Sequence, residues 1–225
     1  MKNIELQIKS TIWDKEFFGI PTWEILNYTK SSLEHADTIL GHQTIKVDTL
    51  ENKQLLHEHG FYYCDTLIIP SCKRENLREI SHPDATISKT IDTEHMLSIF
   101  NGAFTHGRFH RDFNLSNVDA DLRYNNWLKQ LIQAQQVYGL YWQGELAGFI
   151  GNNGGNLILH AVSEEYRGKG LSKYWWSLVC TELLSSGQQE IKSSISAANL
   201  AVLNLYSSLG FSFISSQDIY HRLLR

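Results

Sequence analysis

The residues best suited to chemistry lie between positions 157 and 211. The apolar run 157–162 is followed by Arg167, Gly168, Lys169, Gly170, Leu171 and Ser172, and then by a long amphipathic segment. A buried strand that turns through glycines into a helix is the geometry of a phosphate site. The first amides of a helix have no internal partner and sit at the positive end of its dipole. Gly168 and Gly170 let the backbone approach an anion without a Cβ in the way. A second group of reactive types, Thr105, His106, Arg108, His110 and Arg111 with Phe109 and Phe113, falls in the stretch 105–118. A loop of that length is usually functional or disordered. It reads either as a substrate surface or as a solvated connection.

Composition narrows the function classes. The chain has 225 residues, 42 % hydrophobic and 20 % charged, with a formal net charge of −4 and no basic block. That length suits one and a half to two structural units, and the charge excludes nucleic acid and anionic membrane as main partners. Cys64, Cys72 and Cys180 lack metal-ligand spacing and are odd in number, so they read as reduced thiols of a cytoplasmic protein, and no metal is expected. The N-terminus lacks the apolar core of a signal peptide, and no apolar run reaches the ~20 residues that span a bilayer.

The elements that must position these residues follow from periodicity and punctuation. Trp13 to Pro21, rich in aromatics, reads as a turn joining two strands. Residues 45–48 read as a strand, 52–59 as a short helix and 62–70 as a strand, with Gly60-Phe61 between. This strand, helix, Gly-Phe, strand order recurs around Gly210-Phe211, as a degenerate internal repeat or a coincidence. The polar stretch 71–84 is the expected boundary, giving an N-terminal unit at 1–84 and a second unit at 85–225. In the second unit strands are expected near 85–89, 137–142, 146–151, 157–162 and 189–194, with last strands at 211–215 and 219–224. Helices are expected near 93–104, 119–136, 171–184 and after Asn199.

Arg167, Gly170 and Ser172, preceded by Ala161-Val162 on a strand, resemble the acetyl-CoA motif of the GNAT acetyltransferases, although Ser172 departs from its Gly or Ala. Asn199, Tyr206 seven residues on, and Leu209-Gly210-Phe211 resemble the second signature of that family. The resemblance covers about 85–225. It implies an α+β fold: a mixed, mostly antiparallel sheet flanked by helices, here preceded by a smaller half-GNAT-like unit. It further implies direct transfer of acetyl from acetyl-CoA to an amine. Pyrophosphate would lie on Arg167, Gly168, Lys169, Gly170, Leu171 and Ser172. Pantetheine would lie along Ala161 and Val162 with Asn199 holding it, and Tyr206 would be the acid for the departing thiolate. Asn199 also suits a helix cap. His160, on the central strand, reads either as the base or as a core histidine.

A narrower resemblance rests on Trp13-Asp14 with Phe17-Phe18-Gly19, on Gly60-Phe61, on Ala103-Phe104 followed by Gly107-Arg108-Phe109, and on Trp127. These are similar to the TDP-fucosamine acetyltransferases, which acetylate a nucleotide-linked 4-amino-4,6-dideoxy sugar for bacterial surface glycans. Arg108, His110 and Arg111 would then meet the acceptor's phosphates. An acetyltransferase for another small amine (amino acid, polyamine or antibiotic) and a non-catalytic coenzyme A-binding module are the alternatives. The sequence leaves a homodimer open.

Overall fold

The computed structural model describes residues 7–104 and 107–225. Met1 to Leu6, and Thr105 and His106 of the loop singled out above, lie outside the described residues.

The N-terminal unit runs β1 (Ile8–Ser10), α1 (Ile12–Phe18), β2 (Thr22–Ile25), α2 (Lys30–Ala36), β3 (Gly41–Asp48), α3 (Gln54–Glu58) and β4 (Tyr62–Lys73). The aromatic stretch expected to be a turn contains a helix. Trp13 and Phe17 fall at i and i+4 and their rings meet edge to face at 6.3 Å. Gly19, at φ 63°, ends that helix with its N–H on Lys15 O.

The second unit runs β5 (Ala85–Ser88), α4 (Thr93–Phe100), α5 (Asn117–Gln133), β6 (Val137–Trp142), β7 (Glu145–Asn153), β8 (Asn156–Val162), α6 (Ser172–Ser185), β9 (Glu190–Ser193), β10 (Ile195–Ser196), α7 (Leu200–Ser208) and β11 (Ser212–Leu224). Asp92 caps α4 and Ser116 caps α5 through side-chain bonds to His95 N and Asp119 N. Positive φ at Gln143 and Gly144 closes the β6–β7 hairpin. The two short strands expected at the end are one long strand, β11, with register shifts at residues 213–215 and 219–220.

Units 1–84 and 85–225 do not keep separate sheets. The order is β1-β2-β3-β11-β4-β9-β8-β7-β6-β5, with β10 beside β4. The last strand of the chain, β11, therefore lies between β3 and β4 of the first unit, and β4 lies between β11 and β9 of the second. Arg222 on β11 fixes this exchange. Its guanidinium, 5 % exposed, donates to Gln43 Oε1 (2.7 Å), to His59 O (2.6 Å) and to Asp37, over the Phe61 ring. The two Gly-Phe segments share one cap. Phe61 N–H reaches Leu56 O (2.8 Å) and Phe211 N–H reaches Tyr206 O (3.1 Å), with Gly60 and Gly210 at positive φ. Leu56 thus stands in the first copy where Tyr206 stands in the second.

The loop before α5 is pinned to the sheet by one carboxylate. Asp112, 1 % exposed, receives His42 Nε2 (2.8 Å) and His221 Nδ1 (2.7 Å) on Oδ2, and the Tyr62 hydroxyl (2.8 Å) and Asn114 N–H (2.9 Å) on Oδ1. The His42, Asp112 and His221 ligand-type atoms lie within 4.8 Å of one another, but both nitrogens are spent on the same oxygen, so the trio works as a hydrogen-bonded clamp. These bonds, with His221 foremost, hold the Asp112 carboxyl well below the usual carboxylate range against its burial. Burial takes His221 down to about 4.

Two outcomes follow. Asp112→Ala leaves two buried and two half-buried donors unpaired and is expected to cost about 3–5 kcal/mol in denaturant unfolding. A depressed His221 lets the unfolded chain bind the proton first, so stability falls as pH drops from about 6.5 toward 4, and loss of the Asp112 carboxylate's advantage adds below ~4. Thermal midpoints between pH 7.5 and 4.5 check the slope.

Candidate active site

β8 and β9 run parallel but pair only at Asn156↔Lys192 and Leu157↔Ser193. Beyond Ser193 the chain stays with β4, through Ile195↔Ile68, Ser196↔Leu67 and Ala197 N–H on Thr66 O (2.7 Å). Residues 158–162 keep β7 on one side and lose their neighbour on the other, so the sheet opens into a wedge. Ser163 N–H points to Ala147 O (2.8 Å). Alternation along the strand then turns the amides of His160 and Val162 toward the wedge, and those of Ala161 toward β7. Of the two positions expected to line pantetheine, Val162 offers its backbone, and Ala161 does not. The Val162 carbonyl accepts from Arg167 Nε (2.7 Å).

The glycine turn sits at the mouth of this wedge. Gly168 and Gly170 have φ of 72° and 70°, and a Cβ on either would meet nothing within 4 Å. The amide cradle is open, and its glycines are required by backbone conformation. Helix α6 begins at Ser172 without a side-chain cap and without a carboxylate in its first turn. Arg167 and Lys169 are exposed beside it. An uncapped positive helix end flanked by cations fits a diphosphate. Asn199 is the cap of α7, accepting from Val202 N–H at 3.3 Å.

Tyr206 lies fully buried beneath the wedge, its ring edge-on to Phe211 at 4.7 Å. Its hydroxyl and the nearby Trp176 Nε1 have no hydrogen-bond partner among the described residues. Burial pushes the phenol up, with Ser193 and Trp176 beside it working the other way. Buried polar atoms are rarely left unpaired, and these two donors lie beside Ser193, the residue at which β8 and β9 part. His160 stands edge-on to Trp176 at 5.1 Å, on the α6 side of the sheet, and burial lowers it to about 4. Its ordinary pKa, the feature that suggested a base, is lost.

The three residues assigned to the acceptor divide. His110 Nε2 binds Asp121 (3.0 Å) and its ring stacks on Tyr124; Arg111 Nη1 binds Asp65 (2.7 Å). Arg108 has no hydrogen bond or carboxylate partner among the described residues and faces a cleft with Lys46 and Arg123. Asp65 was not singled out from the sequence. It is 2 % exposed on β4, and Oδ1 accepts from Arg111, from the Ser196 hydroxyl (2.8 Å) and from Thr66 N–H (2.9 Å). Ser196 borders the wedge, so Asp65 is fixed beside it, on the sheet face covered by the 107–116 loop. Its one visible sign was an acid inside the apolar strand run 62–70.

Residues 114–223 match the acetyltransferase (GNAT) domain family. Those residues are a GNAT acetyltransferase domain. With its mostly antiparallel sheet, flanking helices and extra N-terminal unit, the whole chain has the GNAT fold, and the domain makes it an acyltransferase. A GCN5-related N-acetyltransferase from Sphaerobacter thermophilus superposes with a TM-score of 0.67 at 10 % identity, over 97 % of this chain and 76 % of that one. A tandem GNAT protein from the clavulanic acid biosynthesis pathway gives 0.58 at 10 % identity, over 91 % and 76 %. A GNAT-family acetyltransferase from Colwellia psychrerythraea gives 0.55 at 13 %, over 89 % and 77 %. At these identities the likeness is one of fold. No curated protein matches the sequence. Among the described residues no helix is long and apolar enough to cross a membrane.

Only the second copy of the repeat has an open wedge. β2, the counterpart of β8, pairs with β3 along all four of its residues. Calorimetry with acetyl-CoA is therefore expected to give one site per chain. Gly170→Val, a branched residue at φ 70°, is expected to distort the cradle and weaken that binding at least tenfold while the thermal midpoint stays near the parent's. Unaltered affinity would remove the cradle from the site.

Proposed function

We propose that the chain transfers acetyl from acetyl-CoA directly to the amine of a small acceptor, with both bound at once. Acetyl-CoA supplies the thioester: a carbonyl open to attack and a thiolate leaving group. The observation that carries this reading is the unpaired Tyr206 hydroxyl, buried where β8 and β9 part.

The residues take the following parts. The 168–172 amides and the α6 N-terminus hold the diphosphate, and Arg167 and Lys169 add charge. The Val162 backbone and the Asn199 side chain hold the pantetheine arm. The His160 and Val162 amides face the wedge and are the donors available to a developing oxyanion. Asp65 binds the acceptor's ammonium and takes one proton, which is released and frees the lone pair that attacks the carbonyl; the nitrogen becomes acidic once that bond forms, and its second proton replaces the one that Tyr206 gives to the sulfur. Tyr206 keeps its proton throughout the neutral range, because burial raises it. It hydrogen-bonds the departing sulfur and passes the proton as charge develops there. The net change is one N–C bond formed, one S–C bond broken and one proton released.

The acceptor we propose is the one implied by the sequence resemblance, an amino group on a TDP-linked 4-amino-4,6-dideoxy sugar. What supports it is the basic cleft at Arg108; His110 and Arg111 are committed to carboxylates of the protein. Turnover on the TDP-aminosugar, the free aminosugar and a polyamine at matched concentrations tests it. Equal rates on the free sugar, or preference for the polyamine, would reject the nucleotide-linked acceptor.

Tyr206→Phe is expected to lower turnover by roughly 10²-fold or more. It removes an unpaired buried hydroxyl, so the variant should unfold at the parent's midpoint or above it. Asp65→Asn keeps the three donors' acceptor and loses the charge, and is expected to cost a similar factor. Turnover within a few-fold of the parent in Tyr206→Phe would return that residue to the core.

A further inference from the structure

A cleft of about 360 Å³ opens on the N-terminal unit, lined among others by Lys9, Trp13, Lys46, Arg108 and Arg123. It holds four cations against two carboxylates. Glu24 takes Lys46 (2.7 Å) and Asp14 takes Arg123 (2.5 Å). Arg108 is half-buried and has neither carboxylate nor hydrogen-bond acceptor among the described residues. Its guanidinium lies over the Phe109 ring at 4.7 Å. Burial acts against its charge, and the neighbouring Arg123 adds to that, while Tyr124, Asp14 and Glu24 favour it in part. A desolvated guanidinium without a counter-ion is costly to maintain unless a ligand supplies one.

The sheet gives the cleft a fixed distance from the reacting end. Asp65 on β4 lies opposite Ile219 on β11, and Ile219 lies opposite Lys46 on β3. Residues directly opposite share a face, and strands are about 4.8 Å apart, so Lys46 stands about 10 Å from Asp65 on one side of the sheet. The 107–116 loop covers that same side, carrying Arg111 to Asp65 and Arg108 to the cleft.

We infer that this cleft is an oxyanion subsite for the acceptor, with Arg108 as the recognising cation, and that the acceptor carries a phosphate or carboxylate about 10 Å from its amine. The spacing rests on the proposed placement of the amine at Asp65; the oxyanion subsite itself does not. The planar fork of Arg108 suits bidentate pairing with either anion, Lys46 adds a point charge, and Trp13 supplies a ring wall.

The test uses the full chain with its coenzyme site filled by coenzyme A, so that the glycine cradle cannot report. Inorganic pyrophosphate and succinate are titrated by calorimetry into the parent, Arg108→Ala, Arg108→Lys and Asp65→Asn. Arg108→Ala is expected to weaken the preferred anion at least tenfold. Arg108→Lys, which keeps the charge and loses the fork, should weaken it less, and Asp65→Asn should bind as the parent does. The anion bound more tightly identifies the group. In turnover, Arg108→Ala should raise KM for a phosphate-bearing amine at least tenfold relative to a matched neutral amine. No anion binding to the coenzyme A-filled parent, or equal binding in folded Arg108→Ala and Arg108→Lys, would overturn the subsite. Unaffected turnover in Asp65→Asn would instead overturn the placement of the amine, and the 10 Å spacing with it.

Discussion

Two residue pairs hold β8 to β9, and the site depends on there being no third. Strands that part inside a sheet leave backbone donors and acceptors unpaired, which is ordinarily unfavourable. Here the outgoing chain keeps a partner on one side, because residues 190–192 and 195–197 bond to β4. The edges of β8 and β10 that face the wedge are left open, and the edge of β8 is where an extended ligand can add as a strand. The N-terminal unit is therefore part of the site's construction. It supplies β4, which draws β9 and β10 away, and β4 also carries Asp65.

The same exchange explains the clamp at Asp112. Its four donors come from β3, β4, β11 and the loop itself. A buried carboxylate needs every one of its donors, so the loop is fixed only when β11 has been inserted between β3 and β4. Arg108 and Arg111 precede Asp112 in the loop. Their positions relative to Asp65 and the basic cleft are consequently set by the completed sheet, as positioning of an acceptor requires.

What was legible in the sequence was local. Glycine spacing, a following amphipathic helix and the Asn199 cap fixed the cradle, α6 and α7 within a residue or two, because capping and positive φ are decided by neighbours in sequence. The stretch at Trp13 was read as a turn joining two strands, and it does join β1 and β2, but through a seven-residue helix too short for its periodicity to show. The exchange of β4 and β11 was not legible, since no sequence pattern distinguishes one antiparallel partner from another of equal polarity. Asp65 was missed for the same reason: what makes it distinctive comes from Arg111 and Ser196, 46 and 131 positions away. The charged loop gave no sign in sequence of how its cations divide: His110 and Arg111 bond to Asp121 and Asp65, while Arg108 stays unpaired among the described residues.

The two copies of the repeat show which features are architectural and which belong to chemistry. Both keep the strand, helix, Gly-Phe, strand order, both keep the Phe N–H cap, and both give a strand to the other. The first copy has β2 paired with β3 along its whole length, a seven-residue α2 capped by Thr29, and Leu56 in the place of Tyr206. A closed pair offers no strand edge, and a leucine there leaves no buried donor without a partner. The second copy has the open edge, the uncapped fourteen-residue α6 and the unpaired phenol. Stability alone would favour the first arrangement, with its strand edge paired and a leucine in place of the phenol. The features that separate the second copy each leave something unsatisfied, and all of them converge on the wedge between β8 and β9. The first copy, relieved of those demands, contributes the strand that opens the wedge and the basic cleft on its face.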